Sequence, residues 1–164
     1  MTETTLKRRE VEWHDPKESF EKAATMSGLE YMLAMGNGEI PMAPIGELMN
    51  MRGVSASEGE AVFAFTPDES MVNPLGIVHG GPICTLLDSV IGCAVHTTLP
   101  AGVGYTSIDI NVSFLRPPQL GVELTAIGKV TKPGRRVAFG EGELRDPDGK
   151  LVAKATSSCL IFGG

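Results

Sequence analysis

The chain has 164 residues, 42% hydrophobic and 21% charged, with a formal net charge of −6. That size and balance describe one globular domain with a sizeable core and exclude a disordered chain. The acidic surplus argues against general nucleic-acid binding, so an anionic ligand needs a local basic cluster.

Residues 1–14 are charged, lack apolar periodicity and read as a loose tail. Asp15-Pro16 offers a cap followed by proline, and Phe20, Ala23, Ala24, Ser27, Tyr31, Leu33 and Ala34 predict one ragged amphipathic helix to about Met35. Gly36-Asn37-Gly38 ends it. Pro41 and Pro44 punctuate a loop, and Ile45 to Asn50 reads as a short helix. Six methionines crowd this region (Met26, Met32, Met35, Met42, Met49, Met51). They suit flexible core filling or an adaptable lining for an apolar ligand tail. Gly53 to Ala56 and Glu60 to Thr66 are strand-like and flank the turn Ser57-Glu58-Gly59.

Asn73-Pro74-Leu75-Gly76-Ile77-Val78-His79-Gly80-Gly81-Pro82 then opens a helix over roughly Ile83 to Thr98, with Pro82 suited to its first position. Ile83, Leu86, Leu87, Val90, Ile91, Ala94 and Val95 form its buried stripe. Leu99-Pro100-Ala101-Gly102 stops it. Ser107 to Phe114 alternates, with Ile108, Ile110, Val112 and Phe114 on one face and Ser107, Asp109, Asn111 and Ser113 on the other. Arg116-Pro117-Pro118 ends that strand. Val122 to Thr131, Arg136 to Arg145 and Leu151 to Phe162 follow, joined by Lys132-Pro133-Gly134-Arg135 and by Asp146-Pro147-Asp148-Gly149. One long helix with strands joined by short turns predicts an α+β fold with an antiparallel sheet. An N-terminal helical extension over residues 1–50 precedes the main domain, 51–164.

Two features of the central helix are chemical. The Gly80 and Gly81 amides carry no blocking side chain at the positive end of the helix dipole, where a carbonyl oxygen gaining negative charge is stabilised. Asp88 lies about 110° from the centre of the apolar stripe, among the small residues Thr85, Ser89 and Gly92. His79 and Asp88 are nine positions apart, about 13 Å at ~1.5 Å per residue. If Gly80 and Asp88 act on one substrate they must come from two subunits, which a two-fold dimer provides.

Asn73-x-x-Gly76-x-x-His79-Gly80-Gly81, Leu87-Asp88, Ser107-Ile108-Asp109 and Phe114-Leu115-Arg116-Pro117 resemble the hotdog-fold acyl-CoA thioesterases, in the branch named for phenylacetic acid degradation (PaaI-type). The resemblance covers about residues 40 to 162. Gly28-Leu29-Glu30 and Pro41 to Leu48 are similar to an extension that many members carry. The resemblance implies a curved sheet wrapped around the helix, a homodimer whose sheets join, and often a homotetramer. It implies that Asp88 is general base or nucleophile, that the Gly80 N–H polarises the thioester carbonyl, and that Asn73 and His79 position substrate or water. Ser107 would hold the water from the Asp88 side, with Thr106 as the one-residue alternative. No cofactor and no metal are expected.

Each residue also has a plainer reading. Asp88 reads as a solvated helix residue, His79 as the tie of the Gly-Gly turn, Asn73 as a turn residue, and Cys84 as a buried thiol rather than an activated one. His14 and His96 lack a partner pattern and read as surface residues. Lys129, Lys132, Arg135 and Arg136 span one hairpin turn and read as exposed charges or as a seat for the phosphates of coenzyme A; Arg116 is a further candidate. Cys84, Cys93 and Cys159 form no C-x-x-C pair, which argues against a disulfide framework and fits the cytoplasm. Neither a signal peptide nor a membrane span is evident. The leading expectation is acyl-CoA hydrolysis. A hotdog hydratase or dehydratase and a non-catalytic acyl-CoA-binding protein are the alternatives.

Overall fold

The computed structural model describes residues 5–163; residues 1–4 of the expected tail and Gly164 lie outside the described residues. Helices α1 (Pro16–Ala23), α2 (Gly28–Gly36) and α3 (Pro44–Leu48) precede strands β1 (Met51–Ser57) and β2 (Glu60–Phe65). A 3₁₀ turn (Glu69–Met71) leads to the central helix α4 (Gly80–His96) and then to β3 (Val103–Phe114), β4 (Leu124–Lys132), β5 (Val137–Arg145) and β6 (Leu151–Gly163). The strands form one six-stranded antiparallel sheet in the order β1-β2-β4-β5-β6-β3.

The α4 stripe is the core. Leu86, Leu87, Val90, Ile91 and Ala94 are fully buried and cluster with Phe65, Leu124, Leu144 and Val152 of the sheet, and the equally buried Val95 packs with Ala138 and Cys159. A buried aliphatic side chain of this kind contributes about 1.5–3 kcal/mol. The helix also touches the sheet through backbone. A β-carbon on Gly128 would run into the Val90 carbonyl, and one on Gly140 or Gly142 would stand 2.7 or 2.9 Å from the Ile91 side chain.

Four expectations change. The single N-terminal helix is two, because Gly28 must seat on the end of α4. Its N–H donates to the Leu99 carbonyl at 2.9 Å, and a β-carbon there would collide with the His96 carbonyl. The chain therefore breaks after Ala24 and restarts at a capping box between Ser27 and Glu30. The central helix starts at Gly80, with His79 as its cap, so Pro82 is the third helical residue rather than the first. β3 follows α4 in sequence but lies beside β6 at the sheet edge, since the Leu115–Glu123 connection with its two prolines makes no tight hairpin to β4. Finally, the tail is tied down at Arg9. That side chain pairs with Asp68 at 3.0 Å and donates to the Leu48 carbonyl at 2.7 Å. No helix among the described residues is long and apolar enough to cross a membrane.

The glycine contact is testable. Gly128→Ala should cost about 1–3 kcal/mol by overpacking and lower Tm by roughly 3–10 °C in a thermal melt. Gly36→Ala, with nothing within 4 Å of the added carbon, should leave Tm unchanged or slightly raised.

Candidate functional site

The turn before α4 is built by its own side chains. Asn73 Oδ1 accepts from the N–H groups of Leu75 (2.9 Å) and Ile77 (3.1 Å), and Gly76 supplies the positive φ of 74° that the turn needs. Val72 and Val78 bridge across its base. Four N–H positions at a helix start have no partner inside the helix. Here they are His79, Gly80, Gly81 and Pro82. The His79 N–H donates to the Met71 carbonyl at 2.8 Å, the Gly81 N–H donates to His79 Nδ1 at 3.0 Å, and proline has none. The Gly80 N–H remains, at the positive end of a 17-residue helix. Because Nδ1 of His79 accepts, its ring proton is on Nε2, which is left to donate. The Phe114 ring lies against Gly80, 3.0 Å from where a β-carbon would stand.

Asp88 sits eight residues further along the same helix, about 12 Å away along the axis. One chain therefore presents the Gly80 donor and the Asp88 acid at separate places. Asp88 is half-buried, and Ser107 Oγ donates to its Oδ1 at 2.6 Å. The strict alternation read from the sequence puts Ser107 on the face opposite Ile110 and Val112. A β-bulge overturns that: the register skips Ile108, with Ser107 opposite Cys159 and Asp109 opposite Ser158. The inward parity therefore switches, and Tyr105, Ser107, Ile110 and Val112 all face α4. Thr106 pairs with Leu160 on the outer face, which separates it from Asp88.

Asp88, Ser107, Cys93, Tyr105 and His96 line one cavity of about 770 Å³. Burial pushes the Cys93 thiol up to about 12, with the Asp88 charge adding to it and a Tyr105 hydrogen bond opposing. Burial also raises Cys159 and holds Tyr105 well above the usual phenol range. The carboxylate is thus flanked by groups that stay protonated at neutral pH. Cys84 is half-buried in α4 and lies outside the cavity lining.

The roof of the cavity comes from the N-terminal helices and their connections, through Phe20, Met26, Met35, Met42 and Ile45, and Met51 of β1 joins them. Met32 and Met49 instead fill the core. The core-filling reading therefore holds for Met32, Met49 and Met51, while Met26, Met35, Met42 and Met51 line the cavity. His14 is exposed, as expected, but the surface reading of His96 is wrong. His96 is half-buried in the cavity wall between Tyr31 and Tyr105, ring centroids 5.5 and 5.6 Å away, and burial lowers its pKa. The available signal was its place eight residues after Asp88, on the same helical face.

In the basic cluster, Lys129 pairs with Glu60 at 3.0 Å. Lys132, Arg135 and Arg136 are exposed on the β4–β5 turn, with no ion pair among the described residues, and Arg116 is exposed elsewhere. No group of three His, Cys, Asp or Glu side chains is arranged to hold a metal ion among the described residues.

A sequence model of the Thioesterase superfamily matches residues 75–153. Acyl-coenzyme A thioesterase 13 of Homo sapiens is 31% identical over 102 residues, covering 62% of this chain and 72% of that protein. Among solved structures, a phenylacetic acid degradation-related protein from Ralstonia eutropha JMP134 is 32% identical, with a TM-score of 0.73 over 79% of this chain and 98% of that one. A protein from Streptococcus mutans UA159, solved bound to acetyl-CoA, is 25% identical, with a TM-score of 0.65 over 70% of this chain and 90% of that one.

The protonated wall has a direct readout. An acid whose folded pKa stands above its ordinary value favours the fold while protonated, and that advantage is lost as pH rises through the raised value. Iodoacetamide at pH 8 should therefore leave Cys93 unlabelled in native protein. It should label Cys93 after unfolding or as pH approaches 12, as read by peptide mass spectrometry.

Proposed function

The chain belongs to the thioesterase superfamily, the hotdog-fold family of thioester hydrolases, and we propose that it hydrolyses the thioester of an acyl-coenzyme A to the free acid and CoA. The observation that carries this reading is the donor count at α4: one N–H, that of Gly80, is left over on the helix that also bears Asp88. The thioester carbonyl oxygen accepts from that N–H, and the charge of the tetrahedral intermediate develops there. Ser107 occupies Asp88 Oδ1, so Oδ2 faces the water or the acyl carbon. As a base, Asp88 takes the proton of the attacking water and returns it to the departing thiolate. As a nucleophile, it attacks the acyl carbon, the C–S bond breaks to release the CoA thiolate, and water opens the resulting mixed anhydride to the free acid and the Asp88 carboxylate. Asn73 and His79 hold the turn with one polar atom each and offer Nδ2 and Nε2 to the substrate.

The ~12 Å between Gly80 and Asp88 requires Gly80 of one subunit and Asp88 of the other. The surface that supports such a dimer is the edge of β3. Twelve residues long, it has no strand beyond it among the described residues, and Ile108 and Phe114 are 56% and 53% exposed. An unpaired edge of that length is a template for a second strand. Phe139 and Leu160 on the outer sheet face, each 43% exposed, are where two dimers would meet in a tetramer. Lys132, Arg135 and Arg136 are the cations offered to the CoA phosphates. The cavity under the N-terminal helices takes the acyl group, and its apolar lining suits it. A cytoplasmic location is part of the proposal, on the three free cysteines.

Asp88→Asn should lower kcat by about 100-fold or more, measured as thiol release over short, medium and aryl-acetyl CoA esters, with Tm retained. Binding without turnover in the wild type would instead favour an acyl-CoA-binding role. Gly80→Pro removes the oxyanion donor at the first helical position, where the backbone suits proline and the exposed Phe114 ring must give way to the added β-carbon, and should be equally inactive. Unfolding and refolding the two inactive variants together in equal amounts should restore about one quarter of wild-type activity, since half the dimers then carry one intact site. No recovery would mean that each chain carries its own site.

A further inference from the structure

The cavity beside Asp88 is polar at its far end. Its floor is one face of α4, running through Asp88, Ser89, Cys93 and His96, and its roof is the methionine-rich extension. Asp88 and His96 are eight residues apart on a continuous helix, about 12 Å along the axis. Between them the apolar lining dominates. At the end stands an imidazole gripped on both sides by tyrosine rings, at 5.5 Å from Tyr31 and 5.6 Å from Tyr105.

Three observations make that imidazole a ligand-facing group. Its ring makes no hydrogen bond among the described residues, although Tyr31 and Tyr105 stand on either side of it in the cavity wall. Neither of its nitrogens is sealed away, because no buried side-chain nitrogen or oxygen is left without a partner. And it is held neutral by burial, so it both donates and accepts but offers no positive charge. Among the described residues no lysine or arginine lines the cavity, so a carboxylate at this end would have no counter-ion there. A hydroxyl or carbonyl oxygen would find a partner there, and a bare methyl group would leave the imidazole unpaired.

We propose that His96 is a specificity-determining residue that hydrogen-bonds a neutral oxygen, hydroxyl or oxo, at the distal end of the acyl chain. The inference rests on the hydrolase reading, which places the acyl carbonyl at Asp88. It fixes the length as well. Carbon–carbon bonds of ~1.5 Å advance ~1.25 Å each along an extended chain, so the span to His96 is filled by roughly nine or ten carbons. All of the roof lies before residue 75, outside the segment that matches the superfamily, whereas His96 and Tyr105 lie inside it, so this selectivity is set where the extension closes over the matched segment.

The test compares 10-hydroxydecanoyl-CoA with decanoyl-CoA by thiol release, for wild type, His96→Leu and His96→Gln. Wild type should favour the hydroxylated ester in kcat/KM. His96→Leu should lower the hydroxylated-to-plain ratio about tenfold, the scale of one hydrogen bond. His96→Gln, which keeps a donor and an acceptor, should hold most of it. A wild-type ratio at or below one overturns the assignment without need of a variant, and so does a ratio unchanged in His96→Leu. The same pair is titrated calorimetrically against Asp88→Asn protein with and without His96→Leu. If wild type turns over neither ester but binding still depends on His96, the hydrolase reading fails and the pocket assignment stands. Turnover with a ratio blind to His96 gives the reverse.

Discussion

Everything at the site is referred to one rigid object, the backbone of α4 pressed onto glycines of β4 and β5. Gly128, Gly140 and Gly142 remove the side chains that would otherwise hold helix and sheet apart, so the helix cannot slide or roll without colliding. The axial distance from the Gly80 amide to Asp88, and from Asp88 to His96, is then set by helix rise alone. Both ends of the helix are pinned from outside as well. At the start, His79 caps Gly81 and hangs its own N–H on Met71. At the end, Thr97 accepts from the Gly59 N–H at 2.8 Å, which ties in the β1–β2 turn. In the proposed dimer each site takes its donor from one pinned helix and its acid from another, so neither group needs much reorganisation to meet a developing charge.

That rigidity explains why so much of the architecture was legible in the residues. The α4 stripe read from 3.6-residue periodicity is fully buried, from Leu86 to Val95, because a helix surrounded by sheet has no alternative face to present. The turns marked by Gly38, Gly59 and Gly149 all take positive φ. What periodicity could not give was strand neighbourhood. β3 is followed in sequence by β4 yet lies beside β6, and nothing local in Ser107 to Phe114 encodes that choice. Likewise the break between α1 and α2 answers to a contact of Gly28 with the far end of α4, and its one local sign is the Ser27–Glu30 capping box that restarts the helix.

Ser107 and His96 show the two ways in which a site escapes a sequence reading. For Ser107, periodicity and family resemblance disagreed. Alternation placed it on the outer face, the motif placed it beside Asp88, and the bulge at Ile108 reconciles them by inserting one residue between two correctly alternating halves. The inserted residue thus overrides the strand's own period. His96 fails differently. A polar residue in the last turn of a helix is ordinarily solvent-facing and favourable with the dipole. Here the extension folds over it, so its burial depends on Tyr31 and Gly28, residues more than sixty positions earlier.

The residues proposed for the chemistry and those of the pocket roof come from different parts of the chain. The Gly80 donor, Asp88 and Ser107 all lie within residues 75–153, the part that matches the superfamily, and they are fixed by helix and sheet backbone. The surfaces that would meet the acyl group come from short helices joined by loops and rich in methionine, a side chain that adapts its shape at little cost. An extension of that kind can change its lining without disturbing the donor count at Gly80 or the Ser107–Asp88 hydrogen bond, since none of the roof residues takes part in either. The His96 imidazole under the roof is borne by α4 itself and flanked by Tyr31 and Tyr105. A pocket that is soft along its length and fixed at its two polar ends discriminates by the distance between those ends more than by cross-section, and that distance is a property of the helix.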